Sequence, residues 1–309
     1  MDPVIIAVFP GQGSQTPGFL APWLELDGVR ERLEAFSDHS EIDLIAAGTE
    51  WDADRIRDTR IAQPLIVAAS LISWEALRSR AAQPAAGFAG HSVGEIAALV
   101  VAGVLTAEEG MRLVGLRGRA MADAAALAET GMSAVLGGDE AAVLARLSEL
   151  DLTPANYNGA NQIVAAGTPA SLAELAASPV AGTRVIPLAV AGAFHTRFMK
   201  PAVDVLREAA SDVEPSDPSS LLWTNSDGSV VSSGRAALDL LVAQVASPVR
   251  WDRTMASFAE NGATGLIEFA PAGTLTGLAK RGLRGTPAVA VKTPDDLVAA
   301  AALLEEVPA

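Results

Sequence analysis

The chain has no cysteine and only three histidines in 309 residues. The first absence excludes disulfides, thiolate metal sites and a cysteine nucleophile; the second leaves His39, His91 and His195 as the whole supply of imidazole. No ligand spacing typical of a metal centre is present, so no metal is expected. Aromatic residues make up 5% of the chain, which leaves the core to Ala, Val and Leu. Basic residues are scarce as well. Twenty-two Lys and Arg stand against 37 Asp and Glu, and the net charge of −15 argues against nucleic acid and anionic membranes as main partners. No apolar run reaches the roughly 18 residues of a membrane span, and Met1-Asp2-Pro3 lacks a basic leader region, so a cytoplasmic location is expected. Half of the residues are hydrophobic, enough for one large domain or one domain with a smaller insertion.

Residues 4–9 read as a fully buried strand, followed by the flexible turn Pro10-Gly11-Gln12-Gly13-Ser14-Gln15. Helix-period spacing marks residues around 22–37, 63–80, 92–103 and 107–128, the last opened by a capping box of Thr106 and Glu109. From about residue 131 the pattern becomes strand 132–136, helix 140–150, strand 153–157, strand 162–166, helix 170–177 and strand 184–190. That β-α-β-β-α-β order is the split βαβ, ferredoxin-like motif. Helices at 197–210, 235–246, 252–261 and 275–281 then alternate with strands at 221–224 and 265–269. The expectation is an α/β chain: a large α/β-hydrolase-like subdomain over 1–129 and 192–309 with a mostly parallel sheet, and a small inserted ferredoxin-like subdomain over 130–191.

Gly90-His91-Ser92-Val93-Gly94-Glu95 follows a short apolar stretch and opens the helical run Ile96 to Val101, the setting of a nucleophile elbow. The glycines on either side of Ser92 let the chain turn sharply, and the helix behind it supplies a positive dipole end. The spacing alone is weak evidence, and a blander reading exists. Ser92 and Glu95 form an S-x-x-E capping box that needs no chemistry.

A serine hydroxyl needs a base. His91 precedes the serine and should point to the opposite face. His39 lies in the polar stretch Ser37 to Glu41, which reads as an exposed loop. His195, just after the last small-subdomain strand, remains. On the helix 107–128, Arg117 shares the apolar sector of Val114, Ala120, Met121 and Ala124, whereas Arg112 and Arg119 point away. An inward guanidinium must be paired, either with an internal Asp or Glu or with the carboxylate of a substrate.

Phe9 to Gln15, Gly90 to Glu95, Arg117-Gly118, Ala193-Phe194-His195 and Gln244-Val245-Ala246-Ser247-Pro248-Val249-Arg250-Trp251 occur in this order, and with them the chain resembles the malonyl-CoA:acyl carrier protein transacylases of fatty acid synthesis nearly end to end. The resemblance implies that Ser92 carries the malonyl group as an ester, with His195 as its base. It implies that Arg117 holds the malonyl carboxylate and that the backbone N–H groups of Gln12 and Val93 face the oxyanion. Gln244 would orient His195 through its main-chain carbonyl, and the capping box would remain a second role for Ser92. Phe194 resembles the residue that crowds an α-methyl branch in malonyl-selecting relatives, its alternative being core packing. The partners implied are malonyl-CoA and an acidic acyl carrier protein, with no cofactor.

Lys280, Arg281 and Arg284 are the densest basic cluster, a candidate carrier docking surface or simply a solvated helix end. Three other readings share parts of the pattern. A serine hydrolase of thioesterase or patatin-like type has the same elbow, an acyltransferase serving polyketide synthesis has the same motifs, and a carrier-recognising module would need no catalysis.

Overall fold

The structure, a computed structural model, describes residues 3–305. Its strands are β1 Ile5–Phe9, β2 Gly87–Gly90, β3 Gly131–Gly137, β4 Thr153–Gly159, β5 Gln162–Gly167, β6 Thr183–Pro187, β7 Leu221–Leu222, β8 Gly265–Glu268 and β9 Ala288–Ala290. The helices are α1 Val29–Ser40, α2 Leu44–Thr49, α3 Thr59–Arg78, α4 Gly94–Val101, α5 Ala107–Ala126, α6 Glu140–Glu149, α7 Pro169–Ala177, α8 Lys200–Ser211, α9 Gly234–Gln244, α10 Trp251–Glu260, α11 Thr274–Gly282 and α12 Leu297–Glu305. No helix among the described residues is long and apolar enough to cross a membrane.

Two sheets result. The larger is parallel, in the order β7-β2-β1-β8-β9. Its centre, β1, is buried on both faces, which is why its sequence is a continuous apolar run rather than an alternating one. The smaller is antiparallel, in the order β4-β5-β3-β6, the ferredoxin-like arrangement, and carries its own core of Val135, Val143, Leu147, Ile163 and Leu175. Strand β4 also meets the large unit: Tyr157 N–H donates to Val249 O and Val249 N–H to Ala155 O, each at 2.9 Å.

The parallel register sets Phe9 beside Gly90, so the turns leaving β1 and β2 emerge together at the carboxyl edge of the sheet. That edge is where open α/β sheets leave a crevice.

Several boundaries differ from the sequence reading. The segment 22–37 is split, because Gly28 takes φ +78° between a 3-10 turn at Ala21–Glu25 and α1. His39 sits on the exposed last turn of α1 rather than in a loop. Helix α3 starts at Thr59, where Asp58 accepts from Arg60 N–H, ahead of the Pro64 that interrupts the pattern. The strand expected over 184–190 is shorter, ending at Pro187, with one further bond to β3 from Leu188 N–H to Met132 O at 3.0 Å. Helices α2 and α12 and strand β9 are additions; α2 and β9 are short, and α12 is apolar nearly all round, without a period to read.

Candidate active site

Ser92 follows the end of β2 with φ +53°, a left-handed conformation that costs a non-glycine residue on the order of 1 kcal/mol. The turn closes so tightly that a Cβ on Gly90 would lie 1.9 Å from the Gly94 carbonyl carbon, and one on Gly94 would lie 2.2 Å from Phe9 O. Only glycine fits either place. Asn225 pins the turn from outside: its Oδ1 accepts from Ser92 N–H at 2.7 Å and its Nδ2 donates to Gly90 O at 2.6 Å.

The capping-box reading of Ser92 and Glu95 does not hold. Helix α4 begins at Gly94 with no side-chain cap. The serine hydroxyl is turned toward a histidine and the Glu95 carboxylate into the interior, so neither reaches the backbone groups that a capping box would satisfy.

The histidine is His195. Its Nε2 lies 2.7 Å from Ser92 Oγ, and its Nδ1 lies 2.8 Å from the main-chain oxygen of Gln244. A carbonyl can only accept, so Nδ1 carries the proton and Nε2 presents its lone pair to the hydroxyl. His195 is itself left-handed, at φ +59°. Burial and the nearby Arg117 charge push its pKa down to about 3, leaving a neutral imidazole. His91 points elsewhere: its Nε2 is 3.0 Å from Asn158 Oδ1, and its ring meets Trp251 edge-on. Burial lowers its pKa too.

Arg117 is 1% exposed. No carboxylate among the described residues lies within ion-pair distance of it, which removes the internal acid as its direct partner. Amides hold it instead. Nη1 donates to Gln63 Oε1 at 2.7 Å and Nη2 to Gln244 Oε1 at 2.9 Å, while Nη2 also reaches Ser92 Oγ at 3.4 Å. Its Nε is buried without a partner. Burial lowers the guanidinium to about 10, opposed by the charge of Glu95. Glu95, beyond the Gln244 amide, is raised to about 7 by burial, against the hydrogen bonds and the Arg117 charge that favour its ionised form. A buried cation whose direct hydrogen-bond partners are all neutral is under-compensated and favours an anionic ligand.

These groups adjoin a cavity of about 300 Å³ between the two sheets, with Gln12, Ser92, Val93, Phe194 and His195 in its wall. The backbone N–H groups of Gln12 and Val93 have no partner among the described residues. Phe194 is 6% exposed and belongs both to this wall and to the large core. Lys280 and Arg281 are exposed on the last turn of α11 and Arg284 is exposed just beyond it; the first turns of α11 line the cavity through Thr274, Leu275 and Leu278. Arg281 Nη2 donates to Gln162 Oε1, another wall residue, at 3.0 Å. No group of three or more His, Cys, Asp or Glu among the described residues is placed to hold a metal ion.

The sequence reading missed Gln63 and Asn225 and misassigned Glu95. Gln63 had one signal, a long polar side chain next to the apolar run Pro64 to Ala69 of α3; Asn225 lies in a polar turn and had none.

The acyl transferase domain family matches residues 6–299. The chain is 51% identical over 296 residues to the malonyl CoA-acyl carrier protein transacylase of Mycobacterium bovis, covering 95% of this chain and 98% of the relative. The crystal structure of MCAT from Mycobacterium tuberculosis matches with a TM-score of 0.93 at 51% identity, over 96% of this chain and 99% of that one. A malonyl-transacylase structure solved with its type II PKS acyl-carrier protein matches with a TM-score of 0.90 at 32% identity, over 96% and 99% of the two chains.

Proposed function

The chain belongs to the acyl transferase domain family, and from that premise we propose that it moves a malonyl group from malonyl-CoA to the phosphopantetheine thiol of an acyl carrier protein, the malonyl-loading step of fatty acid synthesis. The observation that carries this reading is a buried guanidinium, without a carboxylate of its own, 3.4 Å from a serine hydroxyl that touches a neutral imidazole.

Ser92 Oγ attacks the thioester carbonyl carbon while His195 Nε2 takes its proton. The N–H groups of Gln12 and Val93 receive the developing oxyanion. The carbon–sulfur bond breaks and the proton passes from Nε2 to the departing coenzyme A sulfur. The carrier thiol then gives its proton to His195 and attacks the ester, and Ser92 leaves with that proton restored. The Gln244 carbonyl holds the imidazole in the required tautomer without a buried acid, so the imidazolium is transient.

Arg117 grips the malonyl carboxylate and fixes the acyl carbonyl in a reactive pose. Phe194 crowds the space an α-methyl branch would need. Lys280, Arg281 and Arg284 offer an acidic carrier a local cationic surface on a negative protein. Coenzyme A and phosphopantetheine enter as substrates, and no cofactor has a step to perform. The location proposed with these substrates is the cytoplasm.

Arg117→Ala tests the reading against serine hydrolysis. Loading from malonyl-CoA should fall relative to acetyl-CoA on the order of 10²-fold, as expected for a desolvated charge pair. An unchanged malonyl-to-acetyl ratio, or release of free malonate faster than carrier loading, contradicts it.

A further inference from the structure

We infer that Glu95 is a positioning residue for malonyl selection, acting on Arg117 through the side-chain amide of Gln244. The inference rests on the reading of Arg117 as the carboxylate clamp and adds to it the group that aims the clamp.

Arg117, Gln244 and Glu95 are 1%, 4% and 2% exposed, and form a continuous chain of hydrogen bonds. An arginine can only donate, so the atom that accepts from Arg117 Nη2 at 2.9 Å must be Gln244 Oε1. That choice turns Gln244 Nε2 the other way. There it donates to Glu95 Oε2, and to Ser92 O and Asn225 Oδ1 at 3.2 Å each. Glu95 Oε1 accepts from Asn225 N–H at 3.3 Å. The carboxylate thus receives donors on both oxygens, and only one orientation of the amide sets its oxygen on Arg117 and an N–H on Glu95.

The consequence falls on Arg117. Its Nη2 is the edge nearest Ser92 Oγ, and the Gln244 oxygen is what holds that edge. An amide at position 95 would set an N–H against either the Gln244 Nε2–H or the Asn225 N–H. Turning Gln244 over to relieve the first conflict sets its N–H against Arg117. Each arrangement leaves a buried donor facing a donor, and the Arg117 anchor is weakened. Acetyl has no carboxylate to be gripped, so this defect bears on malonyl far more than on acetyl.

The test, run above pH 7 where Glu95 is ionised, compares wild type, Glu95→Gln, Arg117→Ala and the double variant in kcat/KM for loading from malonyl-CoA and acetyl-CoA, with thermal unfolding of each. Glu95→Gln should lower the malonyl-to-acetyl ratio about 10-fold or more, the size of one lost charge-assisted hydrogen bond. The double variant should have the same ratio as Arg117→Ala, because Glu95 acts through that side chain. A ratio unchanged by Glu95→Gln, with both rates kept or both lowered together, assigns Glu95 a structural role and overturns the inference. Should Glu95→Gln alone not fold, Glu95→Asp decides: it keeps the charge but is too short to reach both donors, so a lowered malonyl-to-acetyl ratio is expected and an unchanged one overturns the inference. A wild type that forms no malonyl ester is a different failure, that of the transferase reading itself.

Discussion

His195 and Glu95 are buried within the same polar cluster and shifted in opposite directions, His195 down to about 3 and Glu95 up to about 7. For the proposed catalysis the histidine decides. A base already neutral in the free enzyme needs no deprotonation, so the acid limb of malonyl loading, followed as kcat/KM against pH, should lie well below the ordinary imidazole value of 6.5. An inflection at or above that value contradicts the burial account. For stability the two groups oppose each other. The neutral histidine stabilises the fold above pH 6.5, and that contribution is lost as pH falls and the unfolded chain alone takes a proton. The protonated Glu95 stabilises below its ordinary 4.5, and loses that contribution as pH rises through about 7. Between these ordinary values the two slopes run against each other.

The elbow between β2 and α4 depends on closeness rather than on hydrogen-bond number. Gly90→Ala places a methyl against the backbone of Gly94, which has no flexible end to move, and should destabilise the protein by about 3 kcal/mol or more. Urea or thermal unfolding measures it, and a variant as stable as the parent contradicts the packing described. That elbow was legible because its chemistry is local: two glycines, a serine and a helix within six residues. Arg117 was legible as inward-facing because α5 has a strong period, but its partners were not. Gln63 comes from α3 and Gln244 from the end of α9, and no spacing within one element brings them together. Glu95 was misread for the same reason. Local capping competes with a tertiary amide 149 residues away, and the tertiary partner wins. The βαββαβ order could be read from its alternating periods, whereas α12, apolar nearly all round, offered none.

At the scale of the molecule, a parallel sheet supplies the serine turn and an antiparallel sheet closes the other side of the cavity, with His195 on the segment that leads back from β6 to the large unit. The net charge of −15 would oppose an acidic carrier, so the proposed docking rests on where the few cations sit. Reversing Lys280, Arg281 and Arg284 together should raise the carrier KM and weaken its salt dependence, leaving loading from malonyl-CoA less affected. An unchanged carrier KM makes the cluster a solvated helix end. The central claim is that the Ser92 oxygen carries the acyl group between two sulfur atoms. Intact-mass measurement after incubation with malonyl-CoA tests it most directly: a single malonyl adduct on the wild type, discharged by a carrier bearing its phosphopantetheine thiol and absent from Ser92→Ala, is the result expected. The same adduct on Ser92→Ala, or none on the wild type, contradicts the account.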